Sequence, residues 1–306
     1  MKINIMSNDG KEKSSTELPE QFEEPVRYDL IKRAVLTIQA MNRQPYGASP
    51  EAGKRASAYL SKRRRNYRGT YGIGQSRTPR KILSRSGTRI HYVGAFAPQT
   101  VGGRRAHPPK ASKIWEKKIN EKENRKAIRS AMAATMDKEI VKSRGHKIPS
   151  NYPFIISESF ESINKTSEIK KSLDALGFKD EMKRAEVKKV RAGKGKLRGR
   201  KYKKKTSILF VVSKECDLIK AANNLPGIEV VLIDNLNAEL LAPGAEPGRV
   251  TLFTEGAIKK LKETKMFTKN FKGVHKEESS EKEEKKPIKK VVKKTTKKVA
   301  NKGEEQ

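Results

Sequence analysis

Residues 207–212 read SILFVV, and two similar runs follow along the chain, EVVLI at 229–233 and RVTLF at 249–253. Each run is short, apolar and rich in β-branched or aromatic residues, which is typical of a strand buried on both faces. Helical patterns separate and follow the three runs, at 216–224, near 236–241 and at 254–264. Short apolar strands that alternate with helices predict an α/β fold with a mainly parallel sheet and right-handed crossovers.

The same alternation continues towards the N-terminus. Residues 2–6 (KINIM) and 154–156 (FII) are further strand candidates, and Gly177 supplies the C-cap of a helix predicted at 165–176. Another helix is predicted at 120–143, and one opens at Pro25 with apolar residues at helical spacing, namely Val26, Leu30, Ile31, Ala34, Val35 and Ile38. We therefore expect a single three-layer α/β domain with a mainly parallel central sheet, made of residues 1–43 and 111–268.

Positive charge dominates the composition. The 306 residues include 70 Lys and Arg against 35 Asp and Glu, a formal net charge of +35. Such a charge on an isolated globule is self-repulsive, so a polyanion is expected as partner, and nucleic acid is the main candidate. A membrane partner is disfavoured, because no long amphipathic basic helix is present and no apolar window approaches about 18 residues.

Two further absences bound the class of protein. No apolar run follows a basic start, so we expect no signal peptide. The single Cys216 excludes an internal disulfide framework and suits a reducing compartment.

The first of two basic windows lies between the first two long helices. Residues 45–110 contain 15 Lys and Arg, one acid (Glu51) and five of the eight tyrosines. No helical or strand period persists for long there, so we interpret 44–110 as a long extended loop inserted in the domain. Arg binds phosphates, Tyr stacks on unpaired bases and Gly admits close backbone approach, so the composition favours a loop that penetrates RNA. A solvated linker is the alternative, although linkers are usually poor in aromatic residues.

The second basic window, 188–205, has 11 Lys and Arg, no acid, and runs directly into SILFVV. A basic arm joined to a buried strand is held at one end, which suits docking onto RNA, whereas a solvated charge run is the alternative. The tail 269–306 is different, because it is a low-complexity Lys/Glu-rich segment with few apolar residues. We expect this tail to be disordered in isolation.

No strong catalytic or metal-binding pattern is present in the sequence. Gly69-x-x-Gly72-x-Gly74 has the dinucleotide-loop spacing reversed, and the glycines near Gly193 lack the P-loop order. The histidines and the cysteine lack zinc-ligand spacing: His91, His107, His146, His275 and Cys216. Two weak alternatives remain, a His146–Cys216 nucleophilic pair and a Mg²⁺ site at Glu158 and Glu161. The sequence therefore predicts a chain that is not an enzyme and carries no metal or cofactor.

Five stretches together resemble the large-subunit ribosomal protein L-four family in its archaeal and eukaryotic form. They are RYDLIKRAVLTIQAMNRQPYG (27–47), GGRRAHPPK (102–110), KENRKAIRSAMAAT (122–135), AGKGKLRGRKYKKKTSILFVVS (192–213) and LAPGAEPGRVTLFTEGAI (241–258). They occur in the family's order and span most of residues 1–265.

The resemblance implies a structural constituent of the large ribosomal subunit in the cytoplasm, with an α/β domain on the surface and the loop 44–110 threaded into rRNA. It also implies that this loop helps to line the polypeptide exit tunnel beside ribosomal protein L-twenty-two, so the nascent polypeptide is an expected partner. The family supports subunit assembly and is not enzymatic. A non-ribosomal RNA chaperone or a chromatin-like nucleic-acid-binding protein is the alternative.

The basic windows and the resemblance together assign residues to the rRNA interface. The expected rRNA-binding residues are Lys54, Arg55, Arg63, Arg64, Arg65, Tyr67, Arg68, Tyr71, Arg77, Arg80, Lys81, Arg85, Arg89, Arg104, Arg105, His107, Lys110, Lys194, Lys196, Arg198, Arg200, Lys201 and Lys203. The loop tip is expected near 77–92, with Arg80, Ser84, Arg85, Ser86, Gly87, Thr88 and Arg89 lining the tunnel.

Overall fold

A computed structural model describes residues 1–65, 72, 74–87, 89–268 and 271. The first compact unit is Met1–Lys269, and the second is Asn270–Gln306, of which Phe271 alone is described. The prediction of a disordered tail at 269–306 therefore lies, apart from Phe271, outside the described residues.

The described residues contain strands and helices in alternation. The strands are β1 (Lys2–Met6), β2 (Glu12–Glu17), β3 (Arg80–Ser86), β4 (Arg89–Gly94), β5 (Ile155–Ile156), β6 (Lys189–Val190), β7 (Tyr202–Lys203), β8 (Leu209–Val212), β9 (Glu229–Leu232) and β10 (Thr251–Phe253). The α-helices are α1 (Tyr28–Met41), α2 (Glu121–Met136), α3 (Lys138–Ser143), α4 (Thr166–Ala175), α5 (Lys179–Glu186), α6 (Asp217–Ala222), α7 (Ala238–Leu241) and α8 (Glu255–Thr264).

The SILFVV run forms the middle strand of a three-stranded parallel sheet. Phe210 of β8 lies opposite Leu252 of β10 on one side and Val230 of β9 on the other. All four residues of β8 are buried. The three strand predictions at 207–212, 229–233 and 249–253 are thus confirmed in slightly shorter form.

A second three-stranded sheet contains β1 in its middle. Strand β1 pairs in parallel with β5, which confirms the predictions at 2–6 and 154–156, and pairs antiparallel with β2. A single parallel bridge from Ile156 to Thr254 joins this sheet to the end of β10. The sequence did not indicate β2, because EKSSTE has no apolar residue and its side chains are mostly exposed at the sheet edge.

Alternate residues of β8 pack into two different apolar clusters. Leu209 and Val211 pack in a cluster that includes residues of α1, α2 and α8. Phe210 and Val212 pack in the other cluster, with residues of α4, α5 and α6. Because successive side chains of a strand point to opposite faces, β8 is buried on both of its faces.

Helix boundaries differ from the sequence predictions where side chains compete for backbone groups. The helix predicted at 120–143 is two helices, because Asp137 leaves the helical conformation and accepts a hydrogen bond from Glu139 N at 2.9 Å. Helix α1 begins at Tyr28 and not at Pro25, since Ser130 Oγ donates to Pro25 O at 2.9 Å and accepts from Arg27 N. Gly177 does end α4 in the left-handed conformation with φ of 87°, as predicted.

Candidate nucleic-acid interface

The first basic window contains a β-hairpin, which the sequence analysis did not predict. Strands β3 and β4 pair antiparallel, with Arg80 opposite Gly94 and Ser86 opposite Arg89. The chain turns at Gly87, where φ is 57°, a conformation that favours glycine. The interpretation of 44–110 as an extended loop therefore missed the two strands within 80–94. A bulge between Ile82 and Ser84 interrupts the alternation that would have indicated the strand.

The segment 44–110 has two limbs, the residues before the hairpin and the residues after it, and these limbs contact each other. Ala48 N donates to Pro109 O at 3.0 Å. A Cβ on Gly53, where φ is 72°, would lie 2.6 Å from the Arg104 backbone, and one on Gly103 would lie 2.0 Å from Ala97 O. These glycines therefore permit close contact within the segment itself, a role that composition alone did not indicate.

The base of the segment is closed around Trp115, a residue to which the sequence analysis gave no role. The Arg43 guanidinium lies 3.8 Å from the Trp115 ring centroid, and Lys113 Nζ lies 4.3 Å from it. Tyr46 stacks on the same ring, with centroids 5.8 Å apart and planes 20° apart. Cations and aromatic rings both stabilise such stacks, so residues before and after the segment are joined without RNA.

Replacing Trp115 with alanine is expected to open the base of the segment. Loss of the stack with Tyr46 and of the two cation–π contacts removes about 1–3 kcal/mol locally. Hydrogen exchange at the Ala48 amide, which bonds Pro109 across the two limbs, should then accelerate by about tenfold or more. Trp115→Phe, which keeps an aromatic face, is the control and should change the exchange rate much less. Unchanged protection of Ala48 in the alanine variant would contradict this role for Trp115.

Most of the predicted basic residues of the segment are solvent-exposed. The exposed ones are Lys54, Arg55, Arg63, Arg64, Arg65, Arg77, Lys81, Arg85, Arg89, Arg105, His107 and Lys110. Arg80 and Arg104 are half-buried, and their guanidinium groups lie near the rings of Tyr92 (5.5 Å) and Phe96 (5.8 Å) respectively. Tyr67, Arg68, Tyr71 and Thr88 lie outside the described residues.

The expected tunnel-lining residues lie at both ends of the hairpin. The turn of the hairpin includes Arg85, Ser86, Gly87 and Arg89. Ser84 lies farther from the turn and pairs with His91. Arg80 instead lies at the open end, opposite Gly94, where its guanidinium donates to Ser76 O at 2.8 Å.

The second basic window also folds into a compact hairpin. Strands β6 and β7 pair antiparallel, and a short 3₁₀ helix, Lys194–Arg198, lies between them. Gly199 follows this helix with φ of 76°. The predicted cations of this arm are all exposed: Lys194, Lys196, Arg198, Arg200, Lys201 and Lys203.

A buried carboxylate fixes both ends of this arm to the folded body. Glu181 on α5 accepts hydrogen bonds from Arg184 Nη2 at 2.6 Å and from Ser207 Oγ at 2.9 Å. Arg184 Nη2 also donates to Thr206 O at 2.8 Å. Because α5 precedes the arm and residues 206–207 follow it, the Glu181 network positions the arm at its two ends.

His146 completes this network beside the carboxylate of Glu181. Its Nδ1 lies 2.8 Å from Glu181 Oε1, and Lys147 N donates to Glu181 Oε2 at 2.9 Å. Burial lowers the pKa of His146, outweighing the nearby Glu181, and Arg184 and Arg144 lower it further. Burial alone would raise the pKa of Glu181, but hydrogen bonds from Arg184, His146 and Lys147 N lower it to about 2.

The free energy of unfolding is expected to fall in acid because the pKa values of His146 and Glu181 are lowered in the folded chain. The pKa values of His146 and Glu181 are both lower in the folded chain than in the unfolded chain, so the unfolded chain binds more protons as the pH falls. The contribution is complete above about pH 6.5 and declines below it, first through His146 and then, below about pH 4.3, through Glu181. Urea unfolding at pH 7, 5.5 and 4 measures this, and His146→Asn should flatten the upper part of the profile. An unchanged midpoint between pH 7 and 4 would contradict it.

The two weak catalytic alternatives do not assemble into a site. Glu161 is buried and accepts hydrogen bonds from Ser213 N at 3.2 Å and Thr254 Oγ1 at 2.6 Å, whereas Glu158 is exposed. Glu161 therefore occupies the edge of the sheet at the carboxyl ends of β8 and β10, which is where α/β proteins usually bind ligands. Burial raises the pKa of the Cys216 thiol, as does Glu161, which opposes thiolate formation. In the described part of the chain, no group of three or more His, Cys, Asp or Glu could hold a metal ion.

The described residues define a class of protein: a basic α/β protein with two structured basic elements, the segment 44–110 and the arm 188–205, that carry exposed cations and almost no acids. No helix among the described residues is long and apolar enough to cross a bilayer. The family model described as the ribosomal protein L4/L1 family matches residues 16–264.

Curated relatives agree with that match. The chain is 47% identical to large ribosomal subunit protein uL4 of Nanoarchaeum equitans over 268 residues, covering 87% of this chain and all of the relative. It is 44% identical over 264 residues to the protein of that name from Archaeoglobus fulgidus, covering 86% of this chain and 99% of the relative. For Methanococcoides burtonii the identity is 46% over 256 residues, covering 83% and 95%. The chain belongs to the ribosomal protein L4/L1 family, which is structural and non-enzymatic.

Proposed function

We propose that this chain is a structural constituent of the large ribosomal subunit, in the cytoplasm, where it binds large-subunit rRNA and supports subunit assembly. Family membership and the names of its relatives support this role. The observation that carries the RNA contact is the presence of two structured basic elements. Residues 45–110 have a single acid and 188–205 have none, so an approaching phosphate backbone meets cations without competing carboxylates.

The proposed architecture has three parts. Residues 1–43 and 111–268 form a three-layer domain in which the two sheets act as one mainly parallel sheet, supported by the Ile156–Thr254 bridge and by the burial of both faces of β8. The segment 44–110 is the RNA-penetrating loop, and 269–306 is a low-complexity tail.

The proposed contacts divide according to what each residue can reach. Exposed arginines such as Arg63, Arg64 and Arg65 bind phosphates through bidentate guanidinium hydrogen bonds. His107 stacks on or hydrogen-bonds to RNA. Because the Trp115 stack already joins the limbs, less conformational entropy is lost when the segment meets RNA than for a wholly unstructured loop. Most of the proposed contacts are to the sugar-phosphate backbone of the RNA, so specificity comes from the shape of the RNA and from its single-stranded parts.

The hairpin at 80–94 is the proposed tunnel-lining tip, near ribosomal protein L-twenty-two and the nascent polypeptide. Replacing residues 80–94 with a short Gly-Ser turn should leave the domain folded, because the hairpin pairs mainly with itself, apart from one bridge from Arg80 to Tyr59, and its apolar residues Leu83 and Val93 are exposed. The expected result is an unchanged circular dichroism melting temperature of the chain, with defective maturation or altered nascent-chain pausing in subunits that contain the variant. A large drop in melting temperature would contradict it.

A direct binding competition tests the proposed function. The full chain should prefer large-subunit rRNA over an equal mass of small-subunit rRNA at physiological salt, because a defined site adds contacts to the non-specific electrostatic term. A free-standing RNA chaperone predicts no single defined site and therefore equal binding. Equal affinity for the two rRNAs would overturn the proposal.

A further inference from the structure

The second basic element contains a cavity of about 550 Å³. It is open to solvent, and the residues that line it are largely exposed. Its lining includes four cations, Lys189, Arg191, Arg200 and Lys203, together with Gly193 and Gly195. The lining has no acidic residue. Two of these cations, Lys189 and Arg191, were not among the residues that the sequence assigned to RNA.

The backbone of the hairpin holds this cavity open by its own hydrogen bonds. Arg191 N donates to Lys201 O at 3.0 Å, which extends the β6–β7 ladder by one step. Arg200 N donates to Gly195 O, also at 3.0 Å. The two arginines are therefore held just beyond the paired ends of β6 and β7, one before and one after the 3₁₀ helix.

Both arginine side chains converge on Gly195. A Cβ placed on Gly195 would lie 3.7 Å from Arg191 Cδ and 3.9 Å from Arg200 Nε. Since φ of Gly195 is not in the left-handed region, its backbone does not require glycine. The absence of a side chain at 195 instead leaves free the space between the two arginine side chains.

The charges around this space are unbalanced. In the described part of the chain, no ion pair joins Lys189, Arg191, Arg200 or Lys203 to a carboxylate. Four positive groups around one cavity repel one another, and a bound anion relieves that repulsion. Guanidinium forks match phosphate oxygens in a bidentate geometry, and lysines add point charges.

We propose that this cavity is a preformed phosphate-binding pocket, and that in the assembled protein it holds backbone phosphate of an RNA strand. The RNA part of this inference rests on the proposed function, whereas the phosphate part rests on the cavity alone. Inorganic pyrophosphate carries the same chemistry without a nucleic acid, so it separates the two parts.

The first experiment titrates inorganic pyrophosphate into the full chain labelled with ¹⁵N-glycine at low salt. Saturable shifts are expected at the Gly193 and Gly195 amides. Arg191→Gln/Arg200→Gln should weaken the apparent affinity by at least about tenfold, a difference of about 1.4 kcal/mol. Lys204→Gln/Lys205→Gln removes the same charge from the same arm at exposed positions that do not line the cavity, and should change it less than about twofold.

Gly195→Val supplies a variant that keeps every charge. It fills the space between the arginines and should also weaken pyrophosphate binding several-fold, while the unchanged remaining glycine spectrum reports that the chain is folded. Equal losses in the Arg191/Arg200 and Lys204/Lys205 variants, or no saturable shift in the wild-type chain, would overturn the pocket.

The second experiment measures the affinity of the same variants for large-subunit rRNA. Arg191→Gln/Arg200→Gln should lower it more than Lys204→Gln/Lys205→Gln does. If pyrophosphate binding is lost and rRNA affinity falls equally in both variants, the pocket takes free phosphate and the RNA part is overturned. If the wild-type chain does not prefer large-subunit rRNA, the proposed function fails, and the pyrophosphate titration still decides whether the pocket exists.

Discussion

Glu181→Ala is expected to lower the free energy of unfolding by about 3–5 kcal/mol, the range for removal of one partner from a buried ion pair. The side chain of Glu181 is fully buried, and its carboxylate accepts hydrogen bonds from Arg184, Ser207 and Lys147 N. Its removal leaves Arg184 without its carboxylate partner, and leaves the buried His146 Nδ1 and Ser207 Oγ and the Lys147 amide without this acceptor. Urea unfolding at pH 7 measures the change.

Glu186→Ala on the same helix is the matched control. Glu186 is exposed at the end of α5, so its removal should change the free energy of unfolding by no more than about 0.5 kcal/mol. Because the Glu181 network also fixes the ends of the arm 188–205, the Glu181 variant should bind rRNA more weakly even where it remains folded. Equal destabilisation by the two substitutions would contradict the proposed network.

The affinity of the full chain for large-subunit rRNA should fall by a factor of about 10³–10⁵ between roughly 50 and 200 mM salt, the range for about 6–10 phosphate contacts. The exposed cations of the two basic elements exceed that number. Each phosphate that they neutralise releases condensed counterions, so the logarithm of the binding constant declines linearly with the logarithm of salt concentration. Filter binding over a salt series measures the slope.

Removing three adjacent cations should reduce this slope. Arg63, Arg64 and Arg65 are exposed, and replacing all three with glutamine should lower its magnitude by about 2. Lys170→Gln/Lys171→Gln, on an exposed part of α4 outside both basic elements, should leave the slope nearly unchanged. An unaltered slope in the triple variant would show that these arginines do not contact phosphates.

The strands were predictable where the sequence is apolar and unpredictable where it is not. SILFVV marks β8 because a strand buried on both faces needs apolar residues at every position. Strand β2 has no such need at the sheet edge, and its polar sequence EKSSTE gives no periodic signal. Asp137 divides a continuous helical pattern because its side chain caps the second helix, a local hydrogen bond that hydrophobic periodicity does not encode.

The positions of the candidate binding residues were predictable from charge, but not the contacts that hold those residues in place. A run of cations without acids identifies both basic elements, since composition is a local property of the sequence. Trp115 and Glu181 act through partners distant along the chain, Arg43 and Tyr46 for the former and His146 and Ser207 for the latter. A single sequence does not encode such pairings in any local pattern, so the supports of both elements emerged only from the structure.

Sedimentation of the tagged full chain from lysate tests the central claim most directly. At moderate salt the chain should sediment with large ribosomal subunits and not with free RNA or small subunits, because its two basic elements engage a defined rRNA site. Retention should decrease as salt is raised, following the release of counterions. A chain that stays off large subunits at both moderate and high salt would contradict its assignment as a structural constituent of that subunit.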